Sequence, residues 1–252
     1  MSRSAGVASL LLVSCLIACG GGDDDAAGDG DGDGDGDGTT DAAPGPDAPA
    51  TVMITGVAQT IMGTATAPLA GATIEGFARA GGAALGSTTS GADGTYTLTL
   101  TTGGAAIDGY LKGSSSGRLD TYLYPPRPVA ADTTGATMLI INQATLNLLG
   151  GLAGTTQQAS KGFIGLIVAD AAGTPIAGAK VTISPAGTAE ILYAANGLPN
   201  ANANATDASG AVFIANTNTG DVTVDATMGS TDFHAVTVNA RAGAITTTLL
   251  QP

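Results

Sequence analysis

Few side chains in this chain of 252 residues have the type and spacing for chemistry, so each can be weighed in its own setting. Ser115 lies in Gly113-Ser-Ser-Ser-Gly117, which satisfies G-x-S-x-G. A nucleophile elbow needs a strand before the serine, a helix after it and a histidine close by. The next residues, Arg118-Leu-Asp-Thr-Tyr-Leu-Tyr124, read as extended chain, and the one histidine, His234, stands in a distant segment. The expectation is a flexible loop at Ser115 and a surface or half-buried strand position for His234. One histidine cannot build a multi-histidine metal site. The expectation is therefore no catalytic residue, no metal and no cofactor. Tyr122 and Tyr124 are spaced i and i+2 on a predicted strand, which puts both rings on one face with Asp120 beside them. Paired rings of that kind stack on sugars, and a carboxylate accepts hydrogen bonds from sugar hydroxyls. These three residues are the candidate ligand contacts. The competing expectation is packing in a core or between modules, because the chain has only 5 Tyr, 4 Phe and no Trp.

Asp29, Asp31 and Asp33, followed by Gly34, copy the first half of an EF-hand loop. The twelfth position, which needs a bidentate glutamate, is Thr40, and shifted frames put Ala42 or Pro44 there. The tract, residues 20–50, carries ten of the 21 acidic residues, no base and no large apolar side chain. Such a segment cannot bury enough surface to offset its conformational entropy, so a disordered spacer is expected. About 30 residues of Gly-rich coil reach ~30 Å, and charge repulsion lengthens them.

Ahead of the spacer stands an export signal. Arg3 provides a short positive region, and Val7 to Ala18 is an apolar run too short for a membrane-spanning helix, which needs ~20 residues. The run ends Leu16-Ile17-Ala18-Cys19. That sequence resembles the lipobox of bacterial lipoproteins. The resemblance implies cleavage between Ala18 and Cys19 and lipid on the Cys19 thiol and amine. Each buried acyl CH₂ contributes ~0.8 kcal/mol, so several chains anchor firmly. In similar lipoproteins an aspartate after the cysteine favours the inner membrane. Here the residue is Gly20, so the resemblance implies the outer membrane of a Gram-negative envelope, facing the periplasm or the surface. Cys15 leaves with the signal, so no disulfide is expected.

The net charge of −13 disfavours a nucleic-acid partner, which demands clustered Lys and Arg. Residues 51–252 hold seven bases and eleven acids, so most of the acidity belongs to the spacer. From residue 51 onward the pattern has period 2, clearest in Thr95-Tyr-Thr-Leu-Thr-Leu-Thr101. Val181 and Ile183, Val222 and Val224, and Val236 and Val238 repeat it between turns rich in Gly, Asp, Asn and Pro.

The chain also repeats itself. Ala67-Pro-Leu-Ala-Gly-Ala-Thr-Ile74 aligns with Thr174-Pro-Ile-Ala-Gly-Ala-Lys-Val181, and Ser90-Gly-Ala-Asp-Gly-Thr-Tyr96 answers Thr206-Asp-Ala-Ser-Gly-Ala-Val212. This order of motifs resembles the carboxypeptidase regulatory-like domain. The resemblance implies an all-β chain: two tandem seven-stranded antiparallel Greek-key sandwiches of the transthyretin (prealbumin) type, after a signal peptide and a disordered acidic linker. The expected division is 1–18 signal peptide, 19–50 tether, 51–141 first sandwich, 142–160 connector with a short helix, and 161–252 second sandwich. The resemblance carries over no catalytic residue, since the zinc carboxypeptidases that bear such a module bind zinc through two histidines and a glutamate. The expected function is a non-enzymatic, lipid-anchored envelope protein that presents two binding or structural modules to a protein or glycan partner. The alternative is a carbohydrate-binding surface lipoprotein using Tyr122 and Tyr124.

Overall fold

The computed structural model describes residues 48–62 and 65–252 and, of the preceding chain, the backbone of Ile17–Ala18, which pairs antiparallel with Thr133–Thr134. The Cys19 lipidation site and the acidic tract through Asp47 lie outside the described residues. The described chain is all-β apart from one helix, Gln143–Leu152. Its N-cap is Asn142, whose Oδ1 accepts from the Thr145 amide at 2.8 Å.

Alternation builds the first module. In Thr95–Thr101 the threonines are exposed, while Tyr96, Leu98 and Leu100 are buried. This strand pairs with the first half of Thr51–Met62, whose second half turns to Ala65–Pro68 and Met138–Leu139. Gly56 lies where the long strand passes beneath the Ala136 carbonyl, and a Cβ there would stand 1.9 Å from that oxygen. Val52, Ile54, Leu98 and Leu100 pack against Ile74, Leu111 and Leu123 of a facing sheet.

The repeat seen in the sequence is a repeat of hydrogen bonds. In the first module the Gly71 amide donates to the Ser90 carbonyl, the Ser90 amide to the Ala72 carbonyl, and the Ala72 amide to Ser90 Oγ. In the second, Gly178, Thr206 and Ala179 make the same three bonds, with Thr206 Oγ1 accepting from the Ala179 amide. The strand that precedes each turn matches too. Ala58 donates to the Gly94 carbonyl and accepts from Leu69, as Val168 donates to Gly210 and accepts from Ile176. Gly71 and Gly178 have φ of 70° and 90°, the left-handed region that costs glycine nothing.

The expectation of two separate, wholly antiparallel sandwiches needs correction. The facing sheet of the first module continues into the second as one nine-stranded sheet. Its order is Leu198–Asn200, Glu190–Ala195, Ala211–Thr217, Gly162–Val168, Ile245–Leu250, Thr121–Tyr124, Gly109–Ser114, Thr73–Ala78 and Gly86–Thr89. The join is parallel: Ile245–Thr248 pairs with Thr121–Tyr124, and the same last strand pairs parallel with Gly162–Val168. The physical reason is burial. Ile245–Leu250 has a neighbour on both edges and cover on both faces, so every residue in it is buried. The three buried threonine hydroxyls of that strand donate to the Asn239, Tyr122 and Tyr124 carbonyls.

Residues paired directly across strands share a face. One face of the nine-stranded sheet therefore carries Thr121, Leu123, Ile245 and Thr247, and the other Tyr122, Tyr124, Thr246 and Thr248. The first face is covered by the rest of the first module and by the helix, whose Leu146 and Leu149, with the C-cap Ala153, pack with Phe163, Phe213 and Ile245. On the second face, a smaller sheet of Lys180–Ser184, Gly220–Met228, Thr231–Asp232 and Val236–Ala240 covers the second module's half, and the core beneath it extends to Tyr124, with Tyr110 and Tyr122 packed against its edge.

Candidate functional site

The first module's part of that second face, at the edge of the cover, is the candidate site. Along Thr73–Ala78 and Gly109–Ser114 burial alternates, so that Ile74, Gly76, Leu111 and Gly113 face the core. Glu75, Phe77, Tyr110 and Lys112 face outward and are half-buried. Register sets them in rows. Ser87, Glu75, Lys112 and Tyr122 lie side by side on successive strands, and Phe77 lies beside Tyr110. The Phe77 and Tyr110 rings stack with centroids 5.5 Å apart, and Tyr110 meets Tyr122 at 5.8 Å and Tyr124 at 5.2 Å.

Three cations border the rings. The Arg241 guanidinium lies 3.9 Å above the Tyr122 centroid and 4.9 Å from that of Tyr110, and donates to the Tyr124 hydroxyl and the Asn239 carbonyl at 3.0 Å each. Arg79 pairs with Asp108 at 2.9 Å and donates to the Thr237 carbonyl of the second module. Lys112 pairs with Asp120 at 3.1 Å. The hydrogen bond to Asp120 holds the Lys112 ammonium charged above its usual pKa. Burial pushes the Tyr122 and Tyr124 hydroxyls up, and Arg241 offsets part of that for Tyr124.

The sequence candidates separate here. Tyr122 and Tyr124 do share a face, and that face looks toward the second module. Tyr124 is 1% exposed and belongs to the second module's core cluster. It has no ring surface to offer a sugar. Asp120 is half-buried beside Lys112, and its carbonyl accepts from the Ile245 amide across the join. Sequence reasoning missed Phe77, Tyr110 and Arg241. The first two occupy the outward parity of their strands, which was readable; Arg241 arrives from the other module.

The remaining candidates stand apart from this face. Ser115 follows the strand Gly109–Ser114 in a turn closed by Gly117 at φ 72°, and the next element is the strand Thr121–Tyr124, not a helix. His234 is exposed, with its amide donating to the Gln251 carbonyl at 2.7 Å. Among the described residues no three His, Cys, Asp or Glu side chains gather as metal ligands, and no helix is long and apolar enough to cross a membrane. A cleft of ≈460 Å³ opens between Pro125–Ala131 and the Ala171–Ala172 turn. Its walls are mainly Pro, Ala and Val, and Arg127 donates there to the Pro252 carbonyl.

No family model matches the chain, and no curated protein matches it. Similarity is found among solved structures. The shaft pilin SpaA from Lactobacillus rhamnosus GG is 12% identical over 81% of this chain and 97% of its own, with a TM-score of 0.26. GBS52, the minor pilin of Streptococcus agalactiae, is 12% identical over 79% and 94%, with a TM-score of 0.27. The Bacillus anthracis TIE protein is 10% identical over 79% of this chain, which spans 34% of that one, with a TM-score of 0.25. At those TM-scores the likeness carries no argument about this chain.

Proposed function

We propose that this chain is a non-enzymatic, lipid-anchored protein of the bacterial outer membrane that holds a rigid two-module β head away from the membrane surface. The observation that carries the reading is Leu16-Ile17-Ala18-Cys19 at the end of a short apolar run, followed directly by the Gly/Asp tract. Cys19 takes the lipid, residues 20–50 act as a charged spacer, and the head comes after it. The shared turn hydrogen bonds of Ser90 and Thr206 support two modules of one type, which we read as carboxypeptidase regulatory-like. The continuous sheet supports a head that moves as one piece, with its loops and open faces directed at a protein or glycan partner. The strand–turn–strand setting of Ser115 supports a role without catalysis.

The test is Cys19→Ala, followed by membrane fractionation and intact-mass measurement of the full chain. The expected result is release into the soluble fraction and loss of the acyl mass. Membrane association that is unchanged in the variant, with no acyl mass on the wild type, overturns the anchor.

A further inference from the structure

The internal repeat marks one place where the two modules differ. Ile74 of the first module aligns with Val181 of the second. Ile74 stands in Thr73–Ala78, which has a strand on each side, with Thr88 opposite it on one edge and Gly113 on the other. Val181 stands in Lys180–Ser184, which pairs on one side only, with Gly220–Met228. The strand that follows, Glu190–Ala195, does not return to it. It pairs instead with Leu198–Asn200 and Ala211–Thr217 in the nine-stranded sheet. The second module therefore has a vacant strand position where the first has Gly86–Thr89.

One side chain fills part of that vacancy. Tyr193 reaches across from Glu190–Ala195, and its hydroxyl accepts from the Val181 amide at 2.9 Å and donates to the Val181 carbonyl at 3.5 Å. Both backbone groups of Val181 thus point away from Gly220–Met228, toward the open edge. Inward and outward residues alternate along an antiparallel pair, so Ile183 also turns its N–H and C=O to that edge. Among the described residues neither group has a partner there. A row of such groups is a template for a further strand, and Val, Thr and Ile at 181–183 favour one.

The geometry also names the strand that fits. In a two-fold antiparallel pairing of Lys180–Ser184 with its own copy, Val181 lies opposite Ile183 and the two exchange both hydrogen bonds. Thr182 then faces its counterpart, and each Lys180 faces Ser184, so the two ammonium groups stay apart.

We infer that Lys180–Ser184 is a self-complementary edge, and that the Tyr193 hydroxyl guards it against a second copy of this chain. The inference stands whether or not Cys19 carries lipid. The full chain is examined by sedimentation equilibrium in a density-matched detergent and by hydrogen exchange. In the wild type the Val181 amide should exchange about tenfold more slowly than that of Ile183, since only the first is hydrogen-bonded. Tyr193→Phe keeps the ring and removes the hydroxyl. It should speed Val181 exchange by about tenfold at low protein concentration and give a concentration-dependent dimer that the wild type lacks. Adding Ile183→Pro takes the outward N–H from the edge and spares the ladder to Gly220–Met228, so the monomer should return. A Tyr193→Phe chain no more associated than wild type, or a dimer that survives Ile183→Pro, overturns the proposal. The wild-type comparison holds even if Tyr193→Phe fails to fold: equal exchange at Val181 and Ile183 would leave the edge unguarded and overturn it as well.

Discussion

The Arg241 guanidinium lies 3.9 Å above the ring of Tyr122, a pair that ties the two modules together. Arg241 follows Val236–Ala240 in the second module, and Tyr122 belongs to Thr121–Tyr124 in the first. The same guanidinium bonds the Tyr124 hydroxyl and the Asn239 carbonyl and lies 4.9 Å from the Tyr110 ring centroid, so one side chain joins three strands. Replacing Arg241 with Met removes the cation–π contact and both hydrogen bonds. The expected cost is about 1–3 kcal/mol, read as a lower urea midpoint. Arg241→Lys should recover less than half of it, because an ammonium cannot lie flat on Tyr122 and still reach both acceptors.

The matching turns give a paired prediction. Ser90 Oγ accepts from Ala72 and donates to the Leu69 carbonyl, and Thr206 Oγ1 accepts from Ala179; all five residues are buried. Ser90→Ala and Thr206→Ala should each cost about 1–3 kcal/mol, the penalty for stranding a buried donor. Thr206→Ser should be close to neutral. If the two modules unfold together across the shared sheet, both alanine variants will shift a single calorimetric transition. Two separated transitions would show that the join does not couple them.

How much of this was legible from the sequence depended on whether a strand had one buried face or two. Thr95–Thr101 was readable because its threonines face water and its Tyr and Leu residues face the core. Gly162–Val168, Ala211–Thr217 and Ile245–Leu250 are buried throughout, so their side chains lose the alternation that marks register. The parallel join was invisible for the same reason. Thr248 Oγ1 bonds the Tyr124 carbonyl across 124 residues, and nothing local in ITTTLL announces that neighbour. The site was half legible. Parity put Tyr122 and Tyr124 on one face, but that the second module would cover that face, with Arg241 over Tyr122 and Tyr124 in its core, depended on the join.

Alkaline pH should weaken the fold over a defined window. Burial raises the hydroxyl pKa of Tyr96, Tyr122 and Tyr124 above the ordinary value of 10.0, and the bond to Asp120 raises Lys112 above 10.5. In each case the folded state holds its proton more tightly than the unfolded chain. The stabilisation is therefore fully present below about pH 10 and is lost as pH rises through the raised values. Tyrosinate ultraviolet absorbance, followed against pH, should show a cooperative step that coincides with loss of circular dichroism. Tyr96→Phe should leave that step in place with a smaller amplitude.

Asn216 offers a test that separates backbone conformation from hydrogen bonding. It is 3% exposed and sits at φ 55°, a region that asparagine tolerates far better than most residues. Its side chain clamps the connector to the second module: Oδ1 accepts from the Gln158 amide at 2.8 Å, and Nδ2 donates to the Thr156 carbonyl and to Glu190. Its amide donates to Gln157 Oε1 at 3.0 Å. Asn216→Gly keeps the left-handed backbone at no steric cost and loses only the side-chain bonds, so it should destabilise by about 1–3 kcal/mol. Asn216→Ala loses the same bonds and adds the cost of a Cβ in that region, about 1 kcal/mol more. Urea unfolding of both variants measures the difference. Equal midpoints would mean that the connector relaxes away from φ 55° once the clamp is gone, and hydrogen exchange at the Gln158 amide would then rise in both variants alike.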